Sequence, residues 1–104
     1  MNRFRLSADA REDIREIRQH YLDQGGPRLS LYIRGEIQKQ IAFLAANPGA
    51  GHSRDDLTSL PVKFWPVFSY LIVYDPAMSP LGIARIVHGN RDLGKLFERF
   101  PPEA

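Results

Sequence analysis

The 104-residue chain contains no cysteine, which removes disulfide staples, thiol nucleophiles and thiolate metal sites at once. Lysine is also scarce. Three of the 14 basic residues are lysines and the other eleven arginines, and 12 acids bring the net charge to only +2. So slight an excess does not by itself call for nucleic acid and admits an acidic protein partner equally well. No long apolar run occurs. The opening "MNRFRLSADARED" lacks the hydrophobic stretch of a signal peptide, and charges interrupt every later apolar segment. A soluble, cytoplasmic protein without membrane contact is expected. Neither a GxGxxG pattern nor a P-loop is present, and the carboxylates show no metal-ligand spacing, so no cofactor and no metal are expected.

What remains is ordinary globular material. The hydrophobic fraction of 43% suits one small domain spanning residues 1–104. A domain of this size buries roughly two-thirds of its extended-chain surface and is modestly stable.

Phe4 and Leu6 alternate with Arg3 and Arg5, which predicts a short first strand. Ser7 or Asp9 can cap a following helix, whose apolar stripe reads Ala10, Ile14, Ile17 and Tyr21. "DQGGP" at 23–27 ends it, with glycine suited to a left-handed turn and Pro27 to a new helix start. A second helix over about 27–46 carries the stripe Leu29, Ile33, Ile37, Ile41 and Leu44, and "NPGAG" stops it. Gly35 costs that helix about 1 kcal/mol relative to alanine. Two helices joined so tightly form an antiparallel hairpin, which needs a sheet to cover its stripes.

"VKFW" and "VFSYLIVY" flank Pro66, and "GIARIVHG" follows the turn-rich "DPAMSP". Alternation places Phe68, Tyr70, Ile72 and Tyr74 on one face of the middle strand and Val67, Leu71 and Val73 on the other. Both faces are apolar, as in a central strand. Leu93, Leu96 and Phe97 mark a short closing helix, and "PPEA" a frayed end. The expected fold class is α+β: an N-terminal strand, a helical hairpin on one face of a small, mainly antiparallel sheet, and a short C-terminal helix.

These words in this order resemble the ParE/RelE superfamily of toxins from bacterial type II toxin–antitoxin systems. The resemblance is carried by "FRLSADAREDIREI" at 4–17, "IAFLAANPGAG" at 41–51, "FWPVFSYLIVYD" at 64–75 and "IARIVHGNRDLGKLF" at 83–97. It implies a growth-arresting toxin, neutralised in a hetero-oligomer by a small antitoxin whose C-terminal segment folds onto it. ParE-like members are associated with poisoning DNA gyrase, and RelE-like members with cutting mRNA on the ribosome. A degenerate member would bind antitoxin and poison nothing.

A ribonuclease must hold phosphate, activate a 2′-hydroxyl and protonate a leaving oxygen. The groups available for this are Arg54, Lys63, Arg85, His88 and Arg91, with Tyr70 and Tyr74 as further candidates. Arg85, expected beside Ile83 and Val87, could bind phosphate or pair with a carboxylate such as Asp92. His88 has the reference pKa of an acid–base catalyst, yet a histidine at a strand end often only bonds backbone. His20 and His52 read as surface residues, and Asp55-Asp56 as a solvated loop pair. "HGNRD" reads first as punctuation between strand and helix, with Gly89 turning, Asn90 capping and Asp92 facing the helix dipole. With three lysines the electrostatic footprint is thin for work amid ribosomal RNA. The expectation is therefore the ParE-like branch, acting on gyrase through protein contacts without a catalytic residue. The antitoxin is expected on Leu22, Leu31, Tyr32 and Phe43, whose apolar side chains have no obvious place inside, and on Trp65, Tyr70 and Tyr74.

Overall fold

The computed structural model describes residues 3–89. Strand β1 (Phe4–Leu6) leads into helix α1 (Ala8–Gly25), and helix α2 (Pro27–Ala46) follows after one residue. A 3₁₀ turn at Pro48–Ala50 and an irregular stretch then reach β2 (Lys63–Val67), β3 (Tyr70–Asp75) and β4 (Leu81–His88). The sheet order is β1-β4-β3-β2, with β1 parallel to β4 and the other pairs antiparallel. An α+β fold with a mainly antiparallel sheet is therefore present. The closing helix expected around 93–97, with Asn90, Arg91 and Asp92, lies outside the described residues.

Local chemistry explains each junction. Ser7 caps α1: its hydroxyl accepts from the Ala10 amide at 2.9 Å and donates to the Ala84 carbonyl at 2.7 Å. One side chain thus starts the helix and ties it to β4. Gly26 alone joins the helices at φ 89° and ψ −178°, a conformation open essentially only to glycine. Ser30, buried between the helices, donates to the Arg18 carbonyl at 2.9 Å. Gly35, by contrast, meets nothing, and a methyl there would stand in open space.

The main core lies between the hairpin and the sheet. Ala10, Ile17, Ile33, Ile37, Ile41 and Leu44 pack on Val67, Ile72, Tyr74, Leu81, Ile83 and Ile86. Tyr74 is wholly buried, donating to the Pro48 carbonyl at 2.7 Å and accepting from the Gly51 amide at 2.9 Å. A Cβ on Gly51 would sit 2.5 Å from that hydroxyl, so glycine is needed for the approach. Behind the sheet, Val62, Phe64, Val73 and Val87 form a second cluster, covered by Leu57 and Leu60 of the irregular stretch. That stretch hides the back of the sheet, which explains why β3 is apolar on both faces.

Three expectations are corrected. "VFSYLIVY" is not one strand: Phe68 and Ser69 form a two-residue hairpin turn, with Phe68 at φ 54°, so Val67 joins the helix-facing core. Pro66 does not interrupt β2 but lies inside it. Alternation along β4 also breaks, because the β3–β4 register shifts between Val73 and Tyr74. The bulge puts Ile83 and Ile86 on the helix side and Val87 on the rear, so Arg85 does not share a face with both Ile83 and Val87.

Candidate functional site

β4 loses its neighbour β1 after Ala84, and helix α1 takes over that edge. Asp13 accepts the Ile86 amide at 2.9 Å, satisfying a main-chain donor that would otherwise be orphaned. The same carboxylate receives both arms of Arg85, Nε to Oδ2 at 2.8 Å and Nη2 to Oδ1 at 3.0 Å. The side chains are 9% and 16% exposed, so this bidentate pair is largely desolvated. Hydrogen bonding to Asp13 raises the Arg85 pKa, outweighing the opposing effect of burial. Asp92 lies outside the described residues, and among them the partner of Arg85 is Asp13. Its signal was in the sequence: Ala10, Asp13 and Ile17 fall on one helical stripe, so a carboxylate stands on the buried face.

The other candidate ribonuclease groups are committed or far apart. Arg54 forks onto Asp56 at 3.0 and 2.9 Å in an exposed pair, so Asp56 is an ion-pair partner rather than a merely solvated acid. That bond raises the Arg54 pKa and lowers that of Asp56. Lys63 stands opposite Tyr74, whereas His88 stands opposite Tyr70, at the other end of β3. Four residues of strand separate the two levels, roughly 13 Å at about 3.3 Å per residue, and β3 itself lies between them. They cannot share one phosphate. Arg91 lies outside the described residues.

His88 instead joins a group of rings that sequence reading missed. Its ring meets Tyr70 edge-on at 5.4 Å, and His20 meets Tyr21 edge-on at 5.0 Å. Burial, aided by a hydrogen bond with Tyr21, pushes the Tyr70 hydroxyl up to about 12, so it stays neutral. His20 is exposed, as expected, with its ring resting on that of its neighbour Tyr21. His52 does remain exposed, but its main chain pairs with Phe64. Among the described residues, no three metal-ligating side chains gather. A cavity of about 430 Å³ is lined by Leu60, Val62, Met78, Gly82, Ile83 and Ala84 among others, with Arg5 and Asp75 as its charged members.

The expected antitoxin-binding residues divide sharply. Leu22, Leu31, Tyr32 and Phe43 are all exposed. Along the outer side of α2, Tyr32 leans on Phe68 at 6.4 Å and Phe43 on Trp65 at 5.4 Å. Trp65 is oriented by donating Nε1–H to Gln40 at 2.8 Å. The result is an aromatic strip between α2 and β2, roughly 16 Å long from the helical rise between Tyr32 and Phe43. Phe68 belongs to it and was missed, because a turn phenylalanine reads as strand. Tyr74 is withdrawn from the docking set: it is a core residue. Tyr70 faces Tyr21 and His88 and is only half-buried.

Comparison with known proteins gives this surface a context. No curated protein matches the sequence. Among solved structures, the chromosomal ParDE TA system from P. aeruginosa matches with a TM-score of 0.69 at 24% identity, covering 85% of this chain and 96% of that one. That likeness is one of fold. The family model described as "ParE toxin of type II toxin-antitoxin system, parDE" matches residues 4–93, and the chain belongs to this family of ParE toxins.

Proposed function

We propose that this ParE-family protein arrests growth by inhibiting DNA gyrase through protein contacts, and that a cognate antitoxin neutralises it by covering the aromatic strip of α2 and β2. The observation that carries the first part is the dispersal of the ribonuclease candidates. Arg85 is spent on Asp13, Arg54 on Asp56, and Lys63 and His88 stand at opposite ends of β3. Transition-state stabilisation requires donors converging on one phosphate, and the described residues do not provide that convergence. The second part is supported by the strip itself, where Tyr32, Phe43 and Phe68 are 57%, 42% and 49% exposed. An amphipathic helix laid along such a strip is a standard mode of recognition.

His88→Gln tests the mechanism, because glutamine keeps hydrogen bonding but cannot act as an acid near neutral pH. Under the gyrase reading the variant remains toxic and its expression induces a DNA-damage response. Retained stabilisation by the antitoxin, read as a raised Tm, certifies that the variant is folded. Codon-phased mRNA cleavage that vanishes in His88→Gln would establish the ribosome-dependent ribonuclease instead. No growth arrest from the native chain would mark a degenerate antitoxin binder.

A further inference from the structure

Three lateral neighbours in the sheet carry contrasting chemistry. Gly82 of β4 stands level with Arg5 of β1 on one side and with Asp75 of β3 on the other. Residues level with one another share a face of the sheet. That face is turned away from the helices, because the adjoining Phe4, Leu6, Tyr74, Leu81 and Ile83 all belong to the helix-facing core. The row therefore reads cation, no side chain, anion. It spans two strand spacings of about 4.8 Å each, roughly 10 Å between the outer Cα atoms. Arg5 is exposed and Asp75 half-buried. Among the described residues neither takes part in an ion pair, with the other or with a third group. Asp75 is nonetheless oriented, since its Oδ1 accepts the Ala77 amide at 2.9 Å.

Over this row lies the cavity of about 430 Å³, a size within the range of small-molecule sites. Leu60, Val62 and Ala84, which also serve the rear cluster, give it apolar walls. The Met78 thioether rests on Gly82, where a Cβ would come within 2.6 Å of the sulfur. Met78 is 49% exposed, and its unbranched side chain adapts readily to an occupant. We propose that this cavity binds an apolar α-amino acid, with its side chain among Leu60, Val62 and Met78, its carboxylate on Arg5 and its ammonium on Asp75. Charge complementarity selects that class. An apolar acid would satisfy Arg5 but bring a like charge to Asp75, and an apolar amine would do the reverse. A neutral hydrocarbon would use neither. An α-amino acid carries both charges on one small head group, which the long Arg5 side chain and the shorter Asp75 reach from opposite sides. The cavity shares no residue with the aromatic strip, so its occupancy is independent of the gyrase and antitoxin readings.

The test titrates the full chain with phenylalanine, hydrocinnamate (the same acid without its amine) and phenethylamine (the same amine without its acid), following the Met78 methyl resonance. Phenylalanine is expected to shift that resonance and to bind at least about tenfold tighter than either analogue, each of which leaves one charge without a partner. Two neutral variants assign the ends. Arg5→Gln should bind phenylalanine no better than phenethylamine. Asp75→Asn should bind it no better than hydrocinnamate, while asparagine still accepts the Ala77 amide. Damage to the fold would not produce these opposite losses of discrimination. Equal binding of the three molecules, or a preference for phenylalanine that survives both substitutions, would overturn the proposal. So would an unmoved Met78 methyl at millimolar phenylalanine, or contacts in the free protein between that methyl and side chains of residues 93–100, which would mark the cavity as filled by the chain's own end.

Discussion

Replacing Asp13 by asparagine removes one charge at almost constant shape and leaves Arg85 in a site where its side chain is 16% exposed. Breaking a buried pair by deleting one partner costs about 3–5 kcal/mol, because the remaining ion is desolvated without compensation. Small domains hold only about 5–15 kcal/mol in total. At about 4–8 °C per kcal/mol, a fall in Tm of at least roughly 12 °C is expected. Urea denaturation of Asp13→Asn, Asp13→Leu, Arg85→Leu and the double Asp13→Leu/Arg85→Leu separates the contributions. Asparagine can still accept the Ile86 amide, whereas leucine orphans it for a further cost of about 1–3 kcal/mol. The double variant should be less destabilised than the sum of the singles, because it removes the stranded charge along with its partner. An Asp13→Asn cost below about 1 kcal/mol, or a cycle with no coupling, would refute the claim that this pair is held as a desolvated unit.

Gly26→Ala should lose about 1–3 kcal/mol in urea denaturation, since φ 89° with ψ −178° strains any residue bearing a Cβ. Gly35→Ala is its counterpart within α2, where a methyl meets nothing, and should instead gain up to about 1 kcal/mol. Tyr74→Phe strands the Pro48 carbonyl and the Gly51 amide and should cost about 1–3 kcal/mol, read as a lower urea midpoint. Tyr70 gives the pH dependence: burial lifts its folded pKa to about 12, above the ordinary tyrosine value of 10.0, so the folded state holds the proton longer. Its contribution is complete below pH 10.0 and is lost as pH rises towards about 12, so Tyr70→Phe should flatten the fall in Tm across that window.

Periodicity and punctuation were enough to locate both helices, their cap and their stop. Ser7, Gly26, Pro27 and the isoleucine stripe of α2 act within a few residues of themselves, and such local preferences survive whatever the rest of the chain does. The family, too, was legible in the order of its words, and the match over residues 4–93 agrees. Other features were settled only when distant segments met. Phe68 sits in a turn because β2 and β3 pair across it, overriding its preference for strand. Arg85 is neutralised by a carboxylate 72 residues away because β1 ends level with Ile83 and α1 comes to lie along the edge of β4 beyond it. Alternation puts Tyr74 on an apolar face of the middle strand without deciding between core and docking surface; two main-chain groups of the 48–51 turn hold its hydroxyl in the core. The row of Arg5, Gly82 and Asp75 has no trace in composition. Strand order decides which distant residues become neighbours, and strand order is a property of the assembled sheet.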